Sequence, residues 1–240
     1  MNIPMKKIVY VSPPKYDSPE KYREYIAKSC NYSCVYCSLM ESESIGATFN
    51  IDHFKPKALF PTLYSECENL RYSCPRCNSY KRAKWISIEQ GCERNCDSCK
   101  KQICKEDIPR FIDCLIEDPK DFFYMSDSYE VLAKNSSKVA EYTIDTLRLN
   151  RVQLKKMRHV REDIDRIISD IESAKKNLEM RKKKILSAKV VFNDIKEKKS
   201  GEQDLIMIIG ILFEMMLTCI ETEEIYFNEF CEKLNNLRLR

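Results

Sequence analysis

The chain is 240 residues long, enough to bury a full core as one large domain or two small ones. Its 43% hydrophobic and 32% charged residues are ordinary for a soluble protein, and only four glycines beside heavy Lys, Glu, Ile and Leu usage point to a mostly helical chain. The net charge of +4 is modest. It is unevenly spread: residues 151–200 are basic and the segment after Gly201 is acidic, which suits an anionic partner for one part and a protein partner for the other.

Near the N-terminus, Lys7 to Val11 reads as a short strand, and Ser18-Pro19-Glu20 opens a helix to about Ser29. A CxxC turn follows at Cys34 and Cys37. Phe49 to Phe54 reads as a strand, and a helix is expected from about Asn78 to Ile88. Phe122 to Met125 and Tyr129 to Ala133 form a hairpin around Ser126-Asp127-Ser128. Ser136 or Ser137 caps a helix to about Leu147. Apolar residues at helical spacing from Leu154 to Leu178 then predict a long helix over 151–186. Lys199-Ser200-Gly201 is a break, followed by helices over 204–221 and 224–237. The most apolar run, Leu205 to Ile220, is short for a membrane span and carries Glu214, so a buried helix and no membrane partner are expected.

Thirteen cysteines is a high count. The N-terminal residues MNIPMKKIVYVS lack the apolar core of a signal peptide, so a reducing cytoplasm is the expected setting. There, CxxC pairs bind metal more often than they form disulfides. Cys34-x2-Cys37 and Cys74-x2-Cys77 are matched pairs, and four thiolates make a closed tetrahedral zinc site of structural type. Cys92, Cys96, Cys99 and Cys104 offer a second ligand set with one true CxxC. They form either a second zinc site, a redox-sensitive loop or exposed thiols. Cys30, Cys67, Cys114, Cys219 and Cys231 read as small buried hydrophobes.

Between the two CxxC pairs stands His53, one of two histidines in the chain, directly after Asp52. An imidazole titrates near neutral pH and can act as general base on water. Asp52 and Asn78 offer oxygen ligands for a hard divalent ion, Mg2+ or Mn2+. Strand alternation puts Asp52 and His53 on opposite faces unless the strand is distorted there, so a distortion is expected. Asn69 is placed to hold the His53 ring in its useful tautomer. Lys55, Lys57, Lys81 and Lys84, with Arg76 and Arg82, would dock a nucleic-acid backbone with little sequence discrimination. His159, among Lys and Arg on a helix, reads as a surface residue, and the Arg181–Lys184 run as a solvated face.

Asp52-His53, Asn69 and Asn78, with zinc CxxC turns around them, resemble the HNH (ββα-metal) endonucleases. The segments IDHFKPKALFP, ENLRYSCPRCNSYKRAKW and TIDTLRLNRVQLKKMR resemble the HNH subunit of Septu-type and related retron-linked anti-phage systems. The resemblance implies that His53 is the general base, that Asp52 and Asn78 bind the catalytic ion and that Asn69 orients the base. It also implies double-stranded DNA as substrate and an ABC or SMC-like ATPase as partner. The expected fold is therefore α+β and mostly helical. A zinc-stabilised ββα core lies in residues 1–115, and a helical, partner-binding region in 116–240. The alternative is a non-catalytic, zinc-dependent subunit that binds nucleic acid or regulates an ATPase.

Overall fold

A computed structural model describes residues 5–44, 46–85, 107–198 and 203–239. Cys92, Cys96, Cys99 and Cys104 lie outside these residues, as does the end of the helix expected to reach Ile88. Among the described residues the chain is a helix-rich α+β structure with two small two-stranded antiparallel sheets. It divides into two compact units, Met1–His159 and Val160–Arg240.

The first unit begins with extended chain. Lys7 to Val11 is not a strand: Ile8 N–H donates to the Cys114 carbonyl at 2.8 Å, but no ladder follows, and Val9 and Val11 are exposed. Pro19 opens a 3-10 turn, Pro19–Tyr22, which runs into α1, Arg23–Ser29. Proline is suited to that first position because its missing N–H would have had no helical partner. Strand β1, Asn50–His53, pairs with β2, Leu70–Ser73, in the register Asn50 to Ser73, Asp52 to Arg71 and His53 to Leu70. After β2 the chain turns directly into α2, Pro75–Lys81. This helix starts at Pro75 rather than Asn78, because the Cys74 sulfur accepts from Cys77 N–H and caps it. It stops at Lys81 because Arg82 takes a left-handed φ of 49°.

Downstream, the short helix α3, Pro119–Phe122, leads into the hairpin of β3, Phe123–Met125, and β4, Val131–Ala133. Ser137 caps α4, Lys138–Thr146, by accepting from Ala140 N–H. Phe123, Val131, Val139, Ala140, Leu147, Leu149 and Leu154 are buried in one core with Leu70, Tyr72, Cys74 and Ile112. The division between the units therefore falls near residue 159, not 115, because α3, α4 and the second hairpin complete the core that the first hairpin cannot form alone.

In the middle of this unit Arg71 and Asp113 form an ion pair with side chains 1% and 5% exposed. The Arg71 guanidinium also donates to the Glu68 and Leu70 carbonyls and lies over the Phe54 ring.

Helix α5, Val152–Lys198, is 47 residues long and α6, Gln203–Leu239, is 37. Both outrun the lengths expected from the sequence, since neither contains a proline and the one glycine, Gly210, is tolerated. The two helices expected after residue 203 are one, because Thr222-Glu223 is no helix breaker. In the second unit Lys175 bonds Asn228, Lys182 pairs with Glu224 at 2.9 Å, Lys189 pairs with Glu214 and Phe192 packs on Phe213. Residue numbers fall on one helix as they rise on the other, so the helices run antiparallel. The apolar run on α6 is not a buried core helix. Leu217 and Ile220 are buried, while Leu205, Met207, Ile208, Ile211, Leu212 and Met215 are exposed. Residues Gln203–Leu234 are long and apolar enough to cross a membrane by length and composition. Cys219 is likewise exposed, whereas Cys67 and Cys114 are buried as expected of small hydrophobes.

Removing one partner of a buried ion pair strands the other charge and costs about 3–5 kcal/mol. Asp113→Ala is expected to lower unfolding free energy by about that amount, measured by urea titration. A loss below about 1 kcal/mol would show that Arg71 finds compensation elsewhere.

Candidate active site

The first zinc-type knuckle is a tight loop. Cys34 N–H donates to the Leu39 carbonyl and Ser38 N–H to the Cys34 carbonyl, both at 2.8 Å, and Ser38 takes a left-handed φ of 57° that brings the chain back. Val35 N–H donates to the Tyr72 carbonyl at 2.9 Å, which ties this loop to β2. The second knuckle is the capped start of α2. The two meet: the sulfurs of Cys34, Cys37, Cys74 and Cys77, all buried, lie within 4.8 Å of one another, an arrangement that could hold a metal ion. The Cys37 and Cys74 sulfurs are 3.8 Å apart. That matches the roughly 3.8 Å edge of a tetrahedron with Zn–S bonds of about 2.3 Å.

No distortion is present at Asp52 and His53, whose pairing with Arg71 and Leu70 is regular. The alternation of a flat strand instead sends Asp52 inward and leaves His53 half-buried at the opposite face. Asp52 is 6% exposed and accepts from the Tyr36 hydroxyl at 2.5 Å and from Lys81 Nζ at 3.1 Å. The Lys81 ammonium also donates to the His53 carbonyl at 2.7 Å, so one cation ties both residues to α2. Burial pushes the Lys81 pKa down, and the Asp52 carboxylate works against that push.

Lys81 is thus a buried structural cation, and the expectation that it meets phosphate is corrected: its side chain is 0% exposed. Lys55 is also buried, its ammonium 5.9 Å from the Phe60 ring centre. Lys57 and Lys84 are exposed, as are Arg76 and Arg82. Trp85 packs edge-on to Phe54 and Phe60 as an anchor behind the site.

His53 is held by Tyr64 rather than Asn69. The imidazole Nε2 lies 3.0 Å from the Tyr64 carbonyl oxygen, and the Tyr64 ring stacks on it with centroids 5.2 Å apart. A carbonyl can only accept, so Nε2 carries the proton and, in the neutral ring, Nδ1 carries the lone pair. Lys57 Nζ lies 5.7 Å from the Tyr64 ring centre. Desolvation pushes the His53 pKa below its ordinary 6.5, partly offset by the Tyr64 carbonyl and the Asp52 charge.

Asn69 acts on the backbone instead. Its Oδ1 accepts from Lys55 N–H at 2.8 Å, and its Nδ2 donates to the Lys55 and Leu63 carbonyls at 3.1 and 3.2 Å. It staples the loop between β1 and β2, and so sets where Tyr64 stands, but its amide does not reach the imidazole. Asn78 lies three residues before Lys81 and so on the same side of α2. Lys81 touches both Asp52 and His53, and Asn78 is half-buried one helical turn before it. Among the described residues its side-chain amide makes no hydrogen bond, so its oxygen is available as a ligand.

Residues 34–84 match the HNH endonuclease family. The match spans both knuckles, β1, β2 and α2, and it implies a metal-dependent nuclease that binds nucleic acid. No curated protein matches the chain. Sequence reading missed Tyr36 and Tyr64. The aromatic residue inside a CxxC turn is a signal for the first; the second acts through its backbone carbonyl and a ring stacked on His53, which no local pattern marks.

Asn69→Ala is expected to leave buried Lys55 backbone groups without partners, at about 1–3 kcal/mol. Denaturation should show that loss, and hydrogen exchange should speed up at the Lys55 amide. Unchanged exchange there would mean the staple is dispensable.

Proposed function

We propose that residues 34–84 form a ββα-metal nuclease centre that hydrolyses phosphodiester bonds in DNA, with zinc on the four cysteines as a structural clamp. The observation that carries this reading is the hydrogen bond from His53 Nε2 to the Tyr64 carbonyl, on a chain segment that matches HNH endonucleases. It leaves Nδ1 as an acceptor on a partly exposed ring, which is what a general base requires.

Asp52 and Asn78 would hold the catalytic Mg2+ or Mn2+. Both offer oxygen, the donor such hard ions prefer. Asp52 accepts from Tyr36 and Lys81 and keeps unused lone-pair capacity, and the Asn78 amide is unengaged. When bound, such an ion supplies Lewis-acid neutralisation of the scissile phosphate and the leaving oxygen. His53 Nδ1 takes a proton from water. The oxygen of that water attacks phosphorus, the bond to the 3′ oxygen breaks, and the leaving oxygen takes a proton from solvent. The products are a 5′ phosphate and a 3′ hydroxyl. Lys57, Lys84, Arg76 and Arg82 are exposed and would meet the backbone phosphates. Tyr36 and Lys81 position Asp52.

We also propose that the nuclease serves an anti-phage system beside an ABC or SMC-like ATPase. The likeness of three segments to Septu-type subunits supports this, as do the exposed apolar side chains of α5 and α6, which suit a protein partner. Co-purification with an ATPase encoded beside it tests that part alone.

His53→Ala is expected to lower plasmid cleavage in Mg2+ by about 10²- to 10⁴-fold, as loss of a general base does. The circular dichroism spectrum and zinc content should stay unchanged. Cleavage at the unaltered rate would reject the mechanism. Because the His53 pKa is depressed, the neutral base persists to lower pH, and activity should fall only below pH 6.5. A kcat/KM profile whose acid limb has its midpoint above 7 would contradict the assignment of His53 as base.

A further inference from the structure

The loop before α5 reaches back to the cysteine cluster. Arg151 Nη2 donates to the sulfurs of Cys37 at 3.6 Å and Cys77 at 3.8 Å, across 114 and 74 positions of chain. The other nitrogen of the same fork, Nη1, donates to the carbonyls of Leu147 at 3.1 Å and Arg148 at 3.3 Å, just past the end of α4. Arg148 stacks over the Tyr80 ring of α2 at 5.0 Å, and Arg151 lies 6.0 Å from it. Asn150, between them, bonds the N–H and the carbonyl of Val131.

We propose that Arg151 is the charge-balancing and positioning residue of the metal–thiolate centre, and that through it the segment after α4 fixes both knuckles. This rests on reading the four cysteines as a zinc site and is independent of the nuclease chemistry. Four thiolates around one Zn2+ carry a net charge of −2, and all four cysteines are buried. Such a charge needs donors nearby. Among the described residues one backbone donor is present, Cys77 N–H to the Cys74 sulfur at 3.4 Å. Arg151 brings the positive charge, and it touches one cysteine of each pair, so it spans the seam between the knuckles. A guanidinium suits both tasks. Its planar fork serves sulfurs on one nitrogen and carbonyls on the other, whereas lysine ends in a single ammonium. Partners of this kind typically change metal affinity about 10- to 100-fold when removed.

The full chain, Arg151→Met and Arg151→Lys are compared for zinc release into excess EDTA, and for cadmium NMR after exchange of zinc for cadmium. Arg151→Met should release metal about 10- to 100-fold faster than the unaltered chain, and Arg151→Lys should fall between them. One tetrathiolate cadmium resonance should move in both variants, and any signal from Cys92 to Cys104 should stay in place. If Arg151→Met does not fold, the Lys variant decides by the same two readouts. Bound metal with unmoved resonances and unchanged release in the folded variants would overturn the role of Arg151 alone. A purified unaltered chain with no tetrathiolate resonance would overturn the zinc reading and this inference with it.

Discussion

Four sulfur atoms within 4.8 Å of one another are the constraint on which the first unit depends. They join a loop at residues 34–37 to the start of a helix at residues 74–77, and the hairpin carrying Asp52 and His53 lies between. A four-residue strand pair followed by a seven-residue helix has little apolar surface of its own. Such a unit is marginal in water without a further tie. The sulfurs supply one tie, and the core built by α3, α4 and the second hairpin supplies another. The chain therefore supports this small unit twice, once with side chains that can take metal and once with ordinary packing.

The second feature is how much charge this unit buries. Arg71 with Asp113 and Lys81 with Asp52 are both inside, with side chains at most 6% exposed. Buried pairs rarely add net stability over apolar residues of the same size. What they add here is direction. Lys81 bonds both the Asp52 carboxylate and the His53 carbonyl, which ties α2 to that end of β1. The Tyr36 hydroxyl, from inside the first knuckle, donates to the same carboxylate. The thiolate loop and the helix thus both hold Asp52, and its position follows from the cysteine cluster rather than from strand geometry alone.

Much of this was legible in the sequence because it is local. Matched CxxC spacing, the strand around His53, the hairpin around Ser126 and the Ser137 cap each follow from a few adjacent residues. Contacts that cross the chain were not legible. Lys81 reads as one surface cation among several until Asp52 is seen opposite it, 29 positions away. Asn69 looks like a partner for an imidazole, yet the Lys55 backbone is nearer and has both a donor and an acceptor to satisfy. The expected strand distortion failed for the same reason. It assumed that Asp52 and His53 must face one way, whereas a regular strand lets one side chain look inward and the other outward, with Lys81 bonding the Asp52 carboxylate and the His53 backbone carbonyl. The domain limit at residue 115 was misplaced because apolar residues beyond it complete a core that begins before it.

The opposed faces of Asp52 and His53 also bear on how such a site can be built. Adjacent side chains on a regular strand project to opposite faces. The His53 imidazole is therefore oriented by something on its own side. Here that is the Tyr64 carbonyl, held in a loop that Asn69 staples at Lys55 and Leu63. A backbone carbonyl is well suited to orienting a base, since it cannot donate, carries no net charge and leaves the imidazole one defined tautomer. A carboxylate in its place would raise the pKa of the ring and favour its protonated form. The strand end thus separates two side chains, the Asp52 carboxylate inward against Lys81 and the His53 imidazole outward against Tyr64, and the loop that joins β1 to β2 shapes the surroundings of His53.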